Sequence, residues 1–206
     1  MDASPFVPER ARSLKALREA AAGCRGCPLY APATQTVFGE GSKGARVMLV
    51  GEQPGDREDQ QGAPFVGPAG RELDRALEAA GIDRREVYVT NAVKHFKFEE
   101  RGKRRIHQKP TRGEMQACFP WLREELRLVG PAALVLLGAT AGQALFGSKF
   151  RLGEARGRPL ESDLAELVTA TTHPSAILRA PDDAARHAMR EDFTRDLGTV
   201  AGFLAG

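Results

Sequence analysis

Four short apolar runs constrain this chain more than any other feature: residues 47–50, residues 87–93, Ala133–Leu137 and Leu167–Thr171. Each is too short for a buried helix and is rich in Val, Leu and Ala, which reads as a strand covered on both faces. Helical patterns fall around and between them. Leu14, Leu17 and Ala21 predict a helix over residues 8–22 closed by Gly23. Leu73, Ala76, Leu77 and Ala80 share a face that stops at Gly81, and Phe193, Leu197 and Val200 line a last helix. Thr111 and Glu114 form a capping-box pair before Met115, Cys118 and Leu122, with Pro120 expected to break or kink that segment. Strands alternating with helices predict a three-layer α/β/α sandwich around a central four-stranded parallel sheet. At 206 residues one domain spanning 1–206 is expected.

In open parallel sheets, ligands bind at the carboxyl ends of the strands. The polar residues cluster there. Gly51-Glu52-Gln53-Pro54-Gly55-Asp56 follows the first run, Asn91 lies in the second, and His173-Pro174-Ser175 follows the fourth. A carboxylate, an amide and an imidazole are thus expected on one rim. Phe65, between Gly62 and Gly70, is a candidate platform for a planar base, with a buried loop anchor as the plain alternative.

The formal charge of +3 hides an asymmetry. Residues 94–112 hold eight Lys or Arg against Glu99 and Glu100, a local +6, so the rest of the chain carries −3. That stretch, with Lys103-Arg104-Arg105-Ile106-His107 at its centre, reads either as a polyanion contact or as a solvated loop. It shows no period over nearly twenty residues, and loops beyond about 12–15 residues are usually functional or disordered.

Three cysteines are too few for a disulfide framework, and the odd count points to a reducing compartment. With charged residues Glu9, Arg10 and Arg12 near the start and no run of ~20 apolar residues, a cytoplasmic location without membrane contact is expected. Cys24-Arg25-Gly26-Cys27 can grip a metal centre or act as a redox pair; Cys118 adds a third sulfur or is a core residue, and His95 is the candidate fourth ligand. Zinc and iron–sulfur both accept three cysteines and one histidine. There is no Walker A sequence, no Gly-x-Gly-x-x-Gly and no Gly-x-Ser-x-Gly, which argues against nucleotide hydrolases, dinucleotide enzymes and α/β-hydrolases. His187 carries no assigned role.

Four ordered motifs carry a family resemblance. They are Gly51-Glu52-Gln53-Pro54-Gly55-Asp56-Arg57-Glu58-Asp59, Pro64-Phe65-Val66-Gly67-Pro68-Ala69-Gly70, Asn91-Ala92-Val93-Lys94 and His173-Pro174-Ser175. Together they resemble the uracil-DNA glycosylase superfamily, near its iron–sulfur family 4, and the Lys103–His107 insertion resembles the UdgX subgroup. The resemblance implies uracil-containing DNA as substrate and a [4Fe–4S] cluster on Cys24, Cys27, His95 and Cys118, His95 standing where family 4 has cysteine. It implies base contacts from Phe65 and Asn91, with Gln53, Asp56, Ser175 and Arg179 also in the substrate site, and phosphate contacts from Lys103, Arg104 and Arg105. Leu178 or Arg179 would fill the gap left in the duplex. His173 would stabilise charge on the departing base and Glu52 the sugar cation. By the same resemblance His107 would capture C1′ of the abasic site after one turnover. The alternatives are an ordinary multiple-turnover glycosylase and a metal-containing nucleic-acid binding module without chemistry. A monomer with no protein partner is expected.

Overall fold

The computed structural model describes residues 1–206. Its strands are β1 (Val47–Gly51), β2 (Val87–Asn91), β3 (Phe98–Arg101), β4 (Arg104–His107), β5 (Ala133–Leu137) and β6 (Leu167–Thr171). The helices are α1 (Leu14–Ala21), α2 (Asp56–Gln61), α3 (Pro68–Ala79), α4 (Arg112–Val129), α5 (Ala139–Phe146), α6 (Leu152–Ala155), α7 (Pro174–Leu178) and α8 (Asp183–Ala205). No helix is long and apolar enough to cross a membrane.

The central sheet has the order β2-β1-β5-β6 with every pair parallel, as the apolar runs predict. Every residue of these four strands is buried. Alternate side chains serve two cores. Val47, Leu49, Val89, Val135 and Leu137 pack with Leu73 and Leu77 of α3, Ile177 of α7, and Phe193, Leu197 and Val200 of α8. Met48, Val50, Leu134, Leu136 and Val168 pack with Leu122, Leu126 and Val129 of α4 and Ala141 of α5. Each such aliphatic side chain contributes about 1.5–3 kcal/mol when fully buried, so the three layers support one another through the sheet. A third core joins the N-terminal segment to α4 through Leu17, Ala21, Cys24, Cys27, Cys118 and Trp121.

Four expectations are corrected. The first helix begins at Leu14, not residue 8, because the Ser13 side chain accepts from Ala16 N and caps it there. β2 ends at Asn91, two residues early, since Ala92 and Val93 leave the ladder to donate to Gly51 and Glu52 carbonyls at 2.9 and 3.0 Å. The basic segment is not aperiodic: β3 and β4 form an antiparallel hairpin closed by Gly102 and Lys103, with Gly102 at φ 62°. Pro120 does not break its helix. α4 runs through it, started by the Thr111–Glu114 capping box and held by the buried Trp121 and Leu122 on either core.

β1 marks where the strand order reverses. The chain goes from β1 to β2 on one side, and β5 later pairs with β1 on the other. The crevice outside the carboxyl end of β1 is the expected ligand site in such a sheet.

Candidate active site

A cleft of about 680 Å³ opens at that crevice. β1 delivers Glu52 and Gln53 to it, β2 delivers Asn91, and the turn after β6 delivers His173, Ser175 and Arg179; Phe65 and His107 complete the candidate lining. Gly51 is the floor. A side chain there would run into Asn91 Oδ1, come within 2.9 Å of the Phe65 ring and reach 3.4 Å from His173 Nε2. These three groups therefore converge on bare backbone, and glycine is what lets them approach it so closely.

Phe65 is the only non-glycine residue with positive φ, at 56°. This sparsely populated conformation costs of order 1–3 kcal/mol, and it turns the ring into the cleft. Gly70 makes it possible, since any side chain there would collide with the Phe65 carbonyl oxygen. The Phe65 and His173 ring centroids lie 6.0 Å apart.

His173 caps the N-terminus of α7. Ser175 N donates to its Nδ1 at 3.2 Å, and the Ser175 hydroxyl lies 2.8 Å from the same atom. A backbone N–H can only donate, so Nδ1 is assigned the lone pair and the proton of the neutral ring sits on Nε2, facing the floor. Burial, then the charges of Arg179 and His107, pushes the His173 pKa down to about 4. The ring is thus a neutral donor near pH 7. Arg179 Nη1 donates to Ser175 Oγ at 3.1 Å, extending the chain of contacts outward.

His107 ends β4 with its side chain half exposed and its Nε2 3.3 Å from Glu52 Oε1. Burial holds its pKa below the usual histidine value, opposed by Glu52 and reinforced by Arg179. Gln53 secures the hairpin beneath it. Its Nε2 donates to the carbonyls of Lys97 and Gln108 at 3.1 and 3.0 Å, and its Oε1 accepts from Lys97 N at 3.1 Å. Arg105 secures the other side, pairing with Asp56 at 2.5 Å and Asp59 at 2.6 Å while lying over the Phe98 and Phe96 rings at 4.9 and 5.5 Å. Lys103 and Arg104 are exposed at the turn.

The three thiols are free, buried and within one core. Trp121 Nε1 lies 3.2 Å and Gly26 N 3.5 Å from Cys24 Sγ, and Lys94 N lies 3.3 Å from Cys118 Sγ. Burial pushes Cys118 up to about 12 and also raises Cys27. Burial pushes His95 down to about 4, opposed by the nearby Asp59 charge, and its Nε2 lies 2.9 Å from Thr36 Oγ1.

Residues 38–198 match the family described as the Uracil DNA glycosylase superfamily. The chain belongs to the uracil-DNA glycosylase superfamily. It is 35 % identical over 196 residues to the Type-4 uracil-DNA glycosylase of Pyrobaculum aerophilum, covering 92 % of this chain and 93 % of that one. It is 36 % identical over 173 residues to the Type-4 uracil-DNA glycosylase of Thermotoga maritima, covering 84 % and 86 %. A Type-4 relative from Sulfurisphaera tokodaii is 34 % identical over 191 residues, covering 89 % and 83 %.

An iron–sulfur cluster on this glycosylase-family chain has to meet the donor set described above. No three His, Cys, Asp or Glu side chains surround a single point as one ion requires. The three sulfurs instead lie in one buried core, and N–H groups point at two of them. Soft thiolates with N–H partners suit a group of several iron atoms, so the residues fit it.

The structure brings together Glu52, Gln53, Phe65, Asn91, His107, His173, Ser175 and Arg179 at the cleft. Asp56 and Arg105 lie outside its lining, engaged with each other. The basic residue of the 94–112 stretch that does reach the cleft is Lys109, and Glu58 joins it while accepting from Gly67 N at 2.8 Å. Neither stood out in the sequence, although Glu58 sits inside the first family motif and Lys109 inside the basic stretch.

Proposed function

We propose that this glycosylase excises uracil from DNA and remains joined to the abasic sugar through His107, the behaviour of the UdgX subgroup that its hairpin motif resembles. Membership of the superfamily and the names of its Type-4 relatives support uracil excision. The observation that carries covalent capture is the His107–Glu52 pair, 3.3 Å apart and lining the same cleft as Asn91, Phe65 and His173.

Chemistry on a base requires extrusion from the stack, and exposed Lys103 and Arg104 offer sequence-independent phosphate contacts. Phe65 stacks on the extruded ring. The Asn91 amide pairs with O4 and N3 of uracil, and cytosine mismatches because it carries an amine where O4 sits. His173 Nε2–H donates to O2. As the N1–C1′ bond breaks, its electron pair leaves with uracil as an anion stabilised by that donor. Glu52 offsets the positive charge left on the sugar. His107 is neutral, and its unprotonated ring nitrogen supplies the pair that forms the new bond to C1′. The remaining ring proton is then lost with Glu52 as acceptor. Alkylated imidazole, once neutral, is a far poorer leaving group than the uracil anion, so the reaction stops after one turnover.

Cys24, Cys27, His95 and Cys118 would hold the [4Fe–4S] cluster. When bound, it supplies a structural cross-link whose histidine donor raises its potential relative to four thiolates.

The test mixes the protein with uracil-containing single-stranded DNA and resolves it on a denaturing gel. A heat- and detergent-stable band is expected, and His107→Ser is expected to lose the band yet release free uracil, because the smaller side chain admits water. Free uracil over many cycles without a band leaves an ordinary multiple-turnover glycosylase. Salt-governed binding with no preference for uracil over thymine leaves a binding module.

A further inference from the structure

A buried ion pair stands between the thiol pocket and the cleft, and the mechanism above does not use it. Lys94 and Glu125 have side-chain exposures of 1 % and 0 %. The Lys94 ammonium has three protons and three acceptors: Glu125 Oε2, Thr90 Oγ1 at 2.6 Å and the Asn91 carbonyl at 2.7 Å. Glu125 also accepts from Tyr88 OH at 2.9 Å, Thr90 Oγ1 at 2.9 Å and Gly39 N at 3.1 Å, so both charges are satisfied. The main chain of Lys94 is tied as well. Its N–H faces Cys118 Sγ at 3.3 Å, and its carbonyl accepts from Val37 N at 2.8 Å. The side chain therefore folds back over residues 91–94, where the strand ends and the backbone turns from the sheet toward the thiols.

Such a pair is a poor source of stability, because the desolvation of two ions consumes most of their attraction and apolar replacements of similar size are often neutral. What it adds here is position. The Asn91 carbonyl is fixed by a charge-assisted bond at the residue whose amide stands beside Phe65 and His173. We infer that Lys94, anchored by Glu125, is a positioning residue for Asn91, holding its amide in the orientation that reads the base. The inference rests on the proposed uracil excision.

The test therefore measures wild-type excision first, as single-turnover uracil release from single-stranded DNA. Lys94→Met with Glu125→Leu removes both charges. Its excision rate is expected to fall about 10–100-fold with DNA affinity unchanged, and Asn91→Ala is expected to cost far less in this background than in the wild type, since both changes act through one amide. Lys94→Gln with Glu125→Gln keeps a donor for the Asn91 carbonyl and is expected to recover part of the rate. Iron content and the thermal midpoint report whether the fold is kept. A folded apolar variant with wild-type excision, or fully additive losses with Asn91→Ala, overturns the inference. Failure of both paired variants to fold overturns it too, because the pair is then a folding element. An inactive wild type instead removes the proposed function itself.

Discussion

Protonating His173 means placing a charge on a half-buried ring beside Arg179 and His107, and the ring resists until the pH reaches about 4. In the unfolded chain the same ring takes its proton near 6.5. Between those values the unfolded state holds the extra proton, so this residue's contribution to stability is complete above pH 6.5 and is lost as pH falls through 4. One pKa unit corresponds to about 1.4 kcal/mol, so the whole window is worth about 3 kcal/mol. Urea midpoints of the wild type and His173→Gln, each taken at pH 7.5 and 4.5, check this. The wild type is expected to lose about 2–3 kcal/mol more than the variant between the two pH values. Equal losses would mean that His173 titrates alike in both states. The same shift keeps the ring a neutral hydrogen-bond donor throughout the neutral range.

The β3–β4 hairpin positions His107, and Gln53 and Arg105 grip it from opposite sides. All three hydrogen-bonding contacts of the Gln53 amide go to Lys97 and Gln108, the residues flanking the hairpin. Removing the amide takes a partner from the part-buried Lys97 N–H and Gln108 carbonyl, at about 1–3 kcal/mol, without touching Asn91 or His173. Gln53→Ala is thus expected to keep uracil release within a few-fold of wild type while adduct yield falls about tenfold. Counting free uracil against the cross-linked band separates the two, and parallel loss of both would place Gln53 in excision itself. The hairpin was also the element least legible in the sequence. Its outward residues are charged on both strands, so the alternation that marks a half-buried strand is masked, and only Gly102 signals the turn. The four central strands were legible because burial on both faces leaves continuous apolar runs. Their polar carboxyl-end residues were legible for the same reason, as breaks in those runs. Asp56 and Arg105 were misleading because a charged residue near a motif looks the same whether it meets a ligand or an internal partner. Pro120 points to a break that does not occur because its local cost, about 3 kcal/mol in a helix interior, is offset by the tertiary burial of its neighbours.

The N-terminal segment adds no strand to the sheet, yet it packs against α4 at several points. Ala3 N donates to the Ala117 carbonyl at 2.9 Å and Arg127 Nη2 to the Ala11 carbonyl at 2.7 Å. The thiols sit in the middle of this contact, on both sides of it: Cys24 and Cys27 from the segment, Cys118 from α4. α1 has eight residues and is too short to persist on its own in water, so its helicity depends on that packing. A bound cluster would join the two sides covalently, and its loss would be felt first where chain is held by few other contacts. Removing the metal with a chelator under reducing conditions, or replacing Cys118 with Ala, is therefore expected to raise amide hydrogen exchange about 10–100-fold over residues 11–38. Exchange in β1, β5 and α8 should stay within a few-fold, since their cores lie on the sheet and contain no thiol. The hairpin follows the segment only in part: the Lys94 N–H just before it faces Cys118, while Gln53, and Arg105 through Asp56 and Asp59, hold it independently. Excision is expected to outlast the loss of α1 protection in such a titration. Uniform loosening of sheet and segment together would instead make the thiol pocket a determinant of the whole fold.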